Sequence, residues 1–232
     1  NLANIRSAVG AQRKMLIAVK ANAYGHGAVE VSKVAADCGV DWLGVATVPE
    51  AVELREAGIA LPILKFPPAF PEEMEAAVRA GLALCVCERE NIARLEAVVA
   101  NLAKPVTGVP AQAVHLKIDT GMGRIGCTPE DAPALAAFIE RECPHLSLQG
   151  VFTHLPVSDD RDPAYTRLQI QRFQDVVAAI HAAIGRRVDL VHCANSGGVL
   201  GHEPGWLDMV RPGIMIYGFY PDPGTPRTIP LK

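Results

Sequence analysis

Lys20 follows directly on the apolar run 15–19 and is succeeded by Ala21-Asn22-Ala23-Tyr24-Gly25-His26-Gly27. An amine at the end of so apolar a run is partly desolvated, which lowers its pKa and suits it to form a Schiff base with a carbonyl. Gly25 and Gly27 permit a tight turn or close approach of a ligand to the backbone. Taken alone, these residues equally describe a lysine snorkelling from a strand end and a chain that merely turns. A second stretch, Asp119-Thr120-Gly121-Met122-Gly123-Arg124-Ile125-Gly126, carries a single arginine in a glycine-rich loop free to fold back over a site. Further on, Ser196-Gly197-Gly198 and Gly213-Ile214 offer a hydroxyl and backbone N–H groups of the kind that bind phosphate. Ser196 also suits a helix N-cap, a role compatible with phosphate binding.

Bringing such distant groups together requires a scaffold. Apolar runs at 15–20, 42–46, 62–66, 83–87, 113–119, 148–154, 188–194 and 209–212 read as strands. Helical patterns alternate with them, clearest at 49–57, 71–80, 130–142 and 164–184. The first two of these open on Pro-Glu and stop at Gly58 and Gly81. This alternation predicts an α/β fold, a TIM-type (β/α)8 barrel over residues 1–220. The proline-rich segment 221–232 reads as a linker toward a further domain. Chemistry in such barrels gathers at the C-terminal strand ends. Lys20 stands at the end of strand one, Lys117 and Asp119 at five, His154 at six, Asn195 and Ser196 at seven, and Arg211 with Gly213 at eight. Strands seven and eight are where such barrels usually hold a phosphate. A lysine at one strand end and a phosphate cradle across the rim call for a phosphorylated aldehyde, and pyridoxal phosphate fits best.

The bulk properties narrow the classes. With 232 residues, half of them hydrophobic, and a net charge of −3, the chain can bury a sizeable core. No basic cluster with interleaved aromatics suggests nucleic acid. No apolar stretch is long enough to span a bilayer and none opens the chain as a signal peptide would, so the expectation is a cytoplasmic protein. The six cysteines are scattered and lack zinc-site spacing, which reads as reduced thiols. His154 and His192 lie near strand ends without a ligand cluster, so no metal is expected. His192, within an apolar run, reads as a core histidine. Both termini read as cut.

Five ordered motifs resemble bacterial alanine racemase, a fold-type III pyridoxal-phosphate enzyme. They are Ala18-Val19-Lys20-Ala21-Asn22-Ala23-Tyr24-Gly25-His26-Gly27, His115-Leu116-Lys117-Ile118-Asp119-Thr120-Gly121-Met122-Gly123-Arg124, Phe152-Thr153-His154, His192-Cys193-Ala194-Asn195-Ser196, and Val210-Arg211-Pro212-Gly213-Ile214-Met215-Ile216-Tyr217-Gly218. The resemblance implies that Lys20 holds the cofactor covalently and serves as one of two racemisation bases. It implies that Tyr24, Ser196, Gly213 and Ile214 bind the phosphate, with Asn195 and Tyr217 also at the cofactor. Arg211 would face the pyridine nitrogen, with His154 against it setting its orientation. Arg124 would contact the phenolic oxygen and the substrate carboxylate, oriented by a carbamylated Lys117.

The family acts on a small-molecule amino acid, supplies D-alanine for peptidoglycan, and works as a homodimer. Its second base is a tyrosine from a β-rich C-terminal domain of the partner subunit. Neither Tyr217 nor Tyr220 matches that motif, and the β-rich domain and the short strand preceding the barrel are absent from this chain, so the piece alone is expected to be inactive or weakly active. Leu155-Pro156-Val157 and Lys65-Phe66-Pro67-Pro68 depart from the commonest family forms near the rim, which leaves serine or a broader substrate range open beside alanine. A relative that decarboxylates or racemises a larger amino acid on the same barrel and a non-catalytic pyridoxal-phosphate-binding barrel are the other readings.

Overall fold

The computed structural model describes residues 1–103 and 111–232. Eight parallel strands form the frame: β1 (Lys14–Ala18), β2 (Trp42–Val45), β3 (Ile63–Pro68), β4 (Ala83–Val86), β5 (Gln112–Lys117), β6 (Leu146–Phe152), β7 (Leu190–His192) and β8 (Met209–Val210). The ladder runs from β8 through β1 and β2 to β7. Between β7 and β8 the ring is joined by single bonds instead. The Asp208 N–H donates to the Val191 carbonyl at 3.1 Å and the Arg211 N–H to the Ala194 carbonyl at 2.8 Å. The Val191 N–H donates to the Asp208 carboxylate at 3.0 Å. This is the (β/α)8 barrel that the alternating pattern predicts.

Several boundaries differ from the sequence reading, each for a local reason. Strand one stops at Ala18, because the residues around Lys20 leave the ladder in a separate turn. β7 and β8 are shorter than 188–194 and 209–212, and Pro212 brings no N–H with which to extend β8. The helix expected at 71–80 opens as a 3-10 turn, Pro71–Glu73, before the α-helix Met74–Arg79. The helix expected at 130–142 begins at Ala132, and the longest spans Ala164–Ile184 as read. The segment 221–232, read as a linker, lies against the barrel. Ile229 is buried, the Tyr220 hydroxyl donates to its carbonyl at 2.9 Å, and Thr228 donates to the Leu200 carbonyl at 2.8 Å.

The barrel has two apolar layers. The larger fills the space between strands and helices, with Met15, Ile17, Leu43, Val114, Leu116 and Val151 directed into it. The smaller lies inside the ring and joins Leu16, Trp42, Leu64, Ala83 and Met209, with Ala113 and Leu190 packed on them. Side chains alternate along a strand, so the next inward positions follow at once. Two residues beyond Ala113 is His115, then Lys117. Two beyond Leu190 is His192, and two beyond Met209 is Arg211. The interior is therefore apolar at its lower end and polar at the rim. No helix among the described residues is long and apolar enough to cross a membrane.

Room for the imidazole layer comes from one missing side chain. Gly150 on β6 pairs in register with His115, and a Cβ added there would overlap the imidazole ring. That ring is fully buried and held by His192 at 2.9 Å, so it has little room to give way. Gly150→Ala is expected to destabilise the fold by about 1–3 kcal/mol, the usual cost of overpacking a core. Urea unfolding of the two proteins measures it, and equal midpoints would contradict this packing.

Candidate functional site

A cleft of about 590 Å³ opens at the C-terminal ends of the strands. It is lined by Lys20, Tyr24, Lys117, Arg124, His154, Asn195, Ser196, Arg211, Gly213 and Ile214. Ten of the candidate residues thus converge on one cavity, drawn from segments at both ends of the chain. Tyr217 is absent from the lining. Its hydroxyl donates to the Ala18 carbonyl at 3.0 Å, and its ring stacks on His26 at 4.4 Å and lies tilted against Tyr24 at 5.4 Å. It buttresses the wall behind Tyr24.

Lys20 enters the cleft from an unusual backbone. Ala21, Asn22, Ala23 and Tyr24 have φ values of 51, 53, 53 and 55°, a left-handed helical turn built without glycine. Each such residue costs roughly 1–2 kcal/mol, and strain of this kind persists only where surrounding contacts enforce it. The Ala23 N–H bonds the Val19 carbonyl at 2.8 Å, the Asn22 side chain accepts the Ala28 N–H at 2.8 Å, and Gly25 follows at φ 89°. Burial lowers the Lys20 amine pKa, Arg124 lowers it further, and Glu50 opposes both.

Arg211 is buried at the centre of the rim with no carboxylate beside it among the described residues. One guanidinium nitrogen bonds His192 Nδ1 at 2.8 Å; the other donates to the Thr153 and Cys193 carbonyls at 2.7 and 3.1 Å. Burial lowers its pKa to about 10, which leaves it protonated at neutral pH. Arginine only donates, so His192 Nδ1 accepts and the proton sits on Nε2, which lies 2.9 Å from His115 Nδ1. Burial pushes His115 down to about 4 and holds His192 well below the usual imidazole value. His192, read from sequence as a core histidine, is the ring bonded to Arg211. His154, expected in that place, makes no such hydrogen bond; it faces the cleft, where burial and the surrounding cations push it down to about 3. The signal that could have identified His192 was strand alternation, which puts it on the same inner face as Arg211.

The remaining groups are fixed by their loops. Asp119 accepts the N–H groups of Gly121, Met122 and Arg124 at 2.8, 2.7 and 3.0 Å, winding the loop so that Arg124 borders the cleft. Burial raises its carboxyl pKa, but those backbone donors outweigh it and hold the group low. Lys117 is buried over the Phe152 ring, 4.8 Å from its centre. Its pKa falls to about 8, chiefly through burial and with help from Arg211 and Arg124. The Ser196 hydroxyl accepts the Gly213 N–H at 3.0 Å, and Asn195 caps the following helix by accepting the Gly198 N–H at 3.0 Å. A Cβ at Gly213 would lie 3.2 Å from the Tyr24 hydroxyl, so glycine there lets the phenol reach the Ser196 corner.

Lys20, Lys117, Arg124 and Arg211 give the cleft four cationic side chains, against Asp159 as the carboxylate in its lining. Such a surface selects an anion. The Tyr24, Ser196 and Gly213 corner can receive a phosphate, Lys20 an aldehyde, and Arg211 a ring nitrogen that accepts a hydrogen bond. The donor set therefore fits pyridoxal phosphate.

These features define a lysine-bearing, anion-selecting (β/α)8 barrel. Residues 1–221 match the family model for the alanine racemase N-terminal domain, and the chain belongs to that family. It is 46% identical over 229 residues to an alanine racemase of Cutibacterium acnes, covering 98% of this chain and 59% of that protein. It is 42% identical over 235 residues to one of Treponema denticola, covering 100% of this chain and 60% of the relative. The solved alanine racemase of Clostridium difficile 630 in complex with cycloserine superposes with a TM-score of 0.93 at 31% identity. That match covers 100% of this chain and 62% of the other. The chain thus spans about 60% of the length of the relatives it matches.

Because Asp119 is a carboxylate with its pKa held down by folding, its contribution is present above its unfolded pKa and lost as pH falls through the folded one. Asp119→Asn is expected to cost about 1 kcal/mol at pH 7, comparable to losing a side-chain cap. The difference from wild type should shrink steadily in acid. Urea unfolding across pH 7 to 3 reads this, and a gap that widens in acid would contradict the assignment.

Proposed function

We propose that this chain is the cofactor-binding barrel of a pyridoxal-phosphate-dependent racemase that interconverts L- and D-alanine. The observation that carries the reading is the half-buried Lys20 amine sharing one cleft with an Arg211 fixed by neutral acceptors. Membership of the alanine racemase N-terminal domain family supports it. Lys20 would hold the cofactor through Nζ and move a proton at the substrate Cα. Tyr24, Ser196, Gly213 and Ile214 would receive the phosphate, with Asn195 shaping that corner. Bound there, pyridoxal phosphate supplies the electron sink that acidifies the Cα proton.

Arg211 would donate a hydrogen bond to the ring nitrogen without surrendering its proton, since its pKa stays near 10 even when buried. The sink is thereby kept weak, which favours proton exchange over transamination. Arg124, with no hydrogen-bond partner for its side chain among the described residues, would take the substrate carboxylate. Lys117, at about 8, is neutral in appreciable part at physiological pH; its free amine can add carbon dioxide with loss of one N–H proton to solvent, and the resulting carbamate anion would pair with Arg124. His154 is neutral and contributes shape and hydrogen bonding at the cleft wall. Leu155, Pro156, Phe66 and Pro67 border the cleft, so they would bear on side-chain choice among alanine, serine and larger substrates.

Racemisation needs an acid or base on each face of the Cα. The Tyr217 and Tyr220 hydroxyls both donate to backbone carbonyls, which supports drawing the second base from outside this barrel. In this reading residues 1–220 are the barrel and 221–232 lead toward a β-rich domain of a homodimeric, cytoplasmic enzyme serving peptidoglycan synthesis.

The absorption spectrum of the chain with added pyridoxal phosphate, beside Lys20→Ala, tests the cofactor assignment. A visible band is expected in the wild type and lost in the variant; its persistence without Lys20 would overturn the assignment. Alanine racemisation by this chain alone is expected to fall far below the median enzyme turnover of about 10 s⁻¹. Turnover near that value would refute an external second base.

A further inference from the structure

We propose that Glu50 is a positioning residue for Lys20, its carboxylate clamping the left-handed turn behind the lysine to the exit of β2. The clamp deepens the reading of Lys20 as the cofactor lysine and rests on it for that functional meaning. Glu50 lies in the first turn of the helix Val48–Glu56 and forms a capping box with Thr47. A capping box requires its carboxylate to accept only the Thr47 N–H, here at 3.1 Å. Two further bonds go beyond that need. Oε1 accepts the Ala21 N–H at 2.7 Å and Oε2 accepts the Ala46 N–H at 2.7 Å.

Ala21 is the first left-handed residue, immediately after Lys20, and Ala46 immediately follows β2. One carboxylate therefore ties three backbone donors from two strand exits. Four successive non-glycine residues at positive φ would relax to ordinary conformations if their first amide lost its acceptor. The relaxed chain would carry Lys20 away from the cleft. The charged and titratable groups facing Lys20 are Arg124 from the loop after β5, Glu50 from its helix, and His154 from the end of β6. Lys117 and Arg211 share the cleft from β5 and from the end of β8. Glu50 thus supplies negative charge to an amine otherwise surrounded by cations and a neutral ring.

Glu50→Gln tests this, because glutamine keeps the shape but replaces one acceptor by a donor facing an N–H. Thr47→Ala is the control: it breaks the same capping box from the other side and leaves the carboxylate in place. Two readouts need no cofactor. The pH profile of Lys20 acylation by a limiting anhydride, followed by peptide mass spectrometry, reports the amine. Hydrogen–deuterium exchange of the peptide 20–27 reports the turn.

In Glu50→Gln the acylation midpoint is expected to move to higher pH, with at least a roughly twofold slower reaction at pH 7, since the displaced amine leaves the burial and the Arg124 charge that lower its pKa. Exchange in 20–27 should quicken about tenfold or more, as loss of a charged clamp predicts, while the other strands keep their protection. Thr47→Ala should lower the melting temperature and change neither readout. The proposal is overturned if Glu50→Gln leaves the Lys20 profile at its wild-type midpoint, or if both variants merely speed exchange evenly over the barrel. If the wild type fails to give a Lys20-dependent cofactor band yet Glu50→Gln shifts both readouts, the clamp stands and the cofactor assignment falls.

Discussion

A guanidinium buried without a counter-ion among the described residues is a demanding group to place in this barrel. Desolvating a cation is costly unless its donors are met. Arg211 meets them with two strand-end carbonyls and one imidazole nitrogen, all neutral. The consequence travels inward by hydrogen-bond logic. Arg211 fixes the tautomer of His192, which fixes that of His115, and both rings must stay uncharged beside a permanent cation. His115 in turn needs the space left by Gly150 and packs against Trp42 at 5.6 Å. The polar layer below the rim and the apolar plug beneath it are thus one packing problem solved around a single charge.

The cleft also concentrates like charge. Four cationic side chains lower one another's proton affinity, which adds to burial in keeping Lys20 and Lys117 below ordinary lysine values. Such an arrangement is a liability to the free chain and an advantage to an anionic ligand, because binding relieves the repulsion. Any ligand that binds only the folded state adds stability by mass action. The left-handed turn at Ala21 to Tyr24 belongs to the same economy: conformational strain is concentrated where the amine must be aimed. The helices and the strand ladders, regular in backbone and buried along their inner faces, offset it.

Much of this was legible in the sequence because barrels obey two simple periodicities. Apolar runs located every strand, and their ends named the residues that line the cleft, from Lys20 to Ile214. What escaped was what periodicity does not encode. The Lys20 turn is tied by backbone N–H groups that donate to Asn22 and Glu50, residues whose types are common in any loop. His192 looked like a core residue because it is one. Its partnership with Arg211 arises only when β7 and β8, joined across a seam without a ladder, come side by side. Tyr217 lies within a motif but faces away from the cleft, since a 3-10 turn at Ile214–Tyr217 rotates it behind Tyr24.

The neutral cradle around Arg211 bears on the chemistry as well as the fold. A carboxylic acid facing a ring nitrogen can transfer its proton and make the ring a strong electron sink. A guanidinium held by carbonyls and a neutral imidazole can only share a hydrogen bond, and the same burial that lowers its pKa leaves it far above neutrality. A carboxylate partner for Arg211 would have satisfied the guanidinium more cheaply, but it would also have pulled the donor away from the cleft and neutralised the field that attracts an anion. Neutral acceptors keep the full positive charge directed at the ligand. Within the proposed reading, this is how a barrel with little to distinguish it in outline is biased toward exchanging a proton and against moving an amino group.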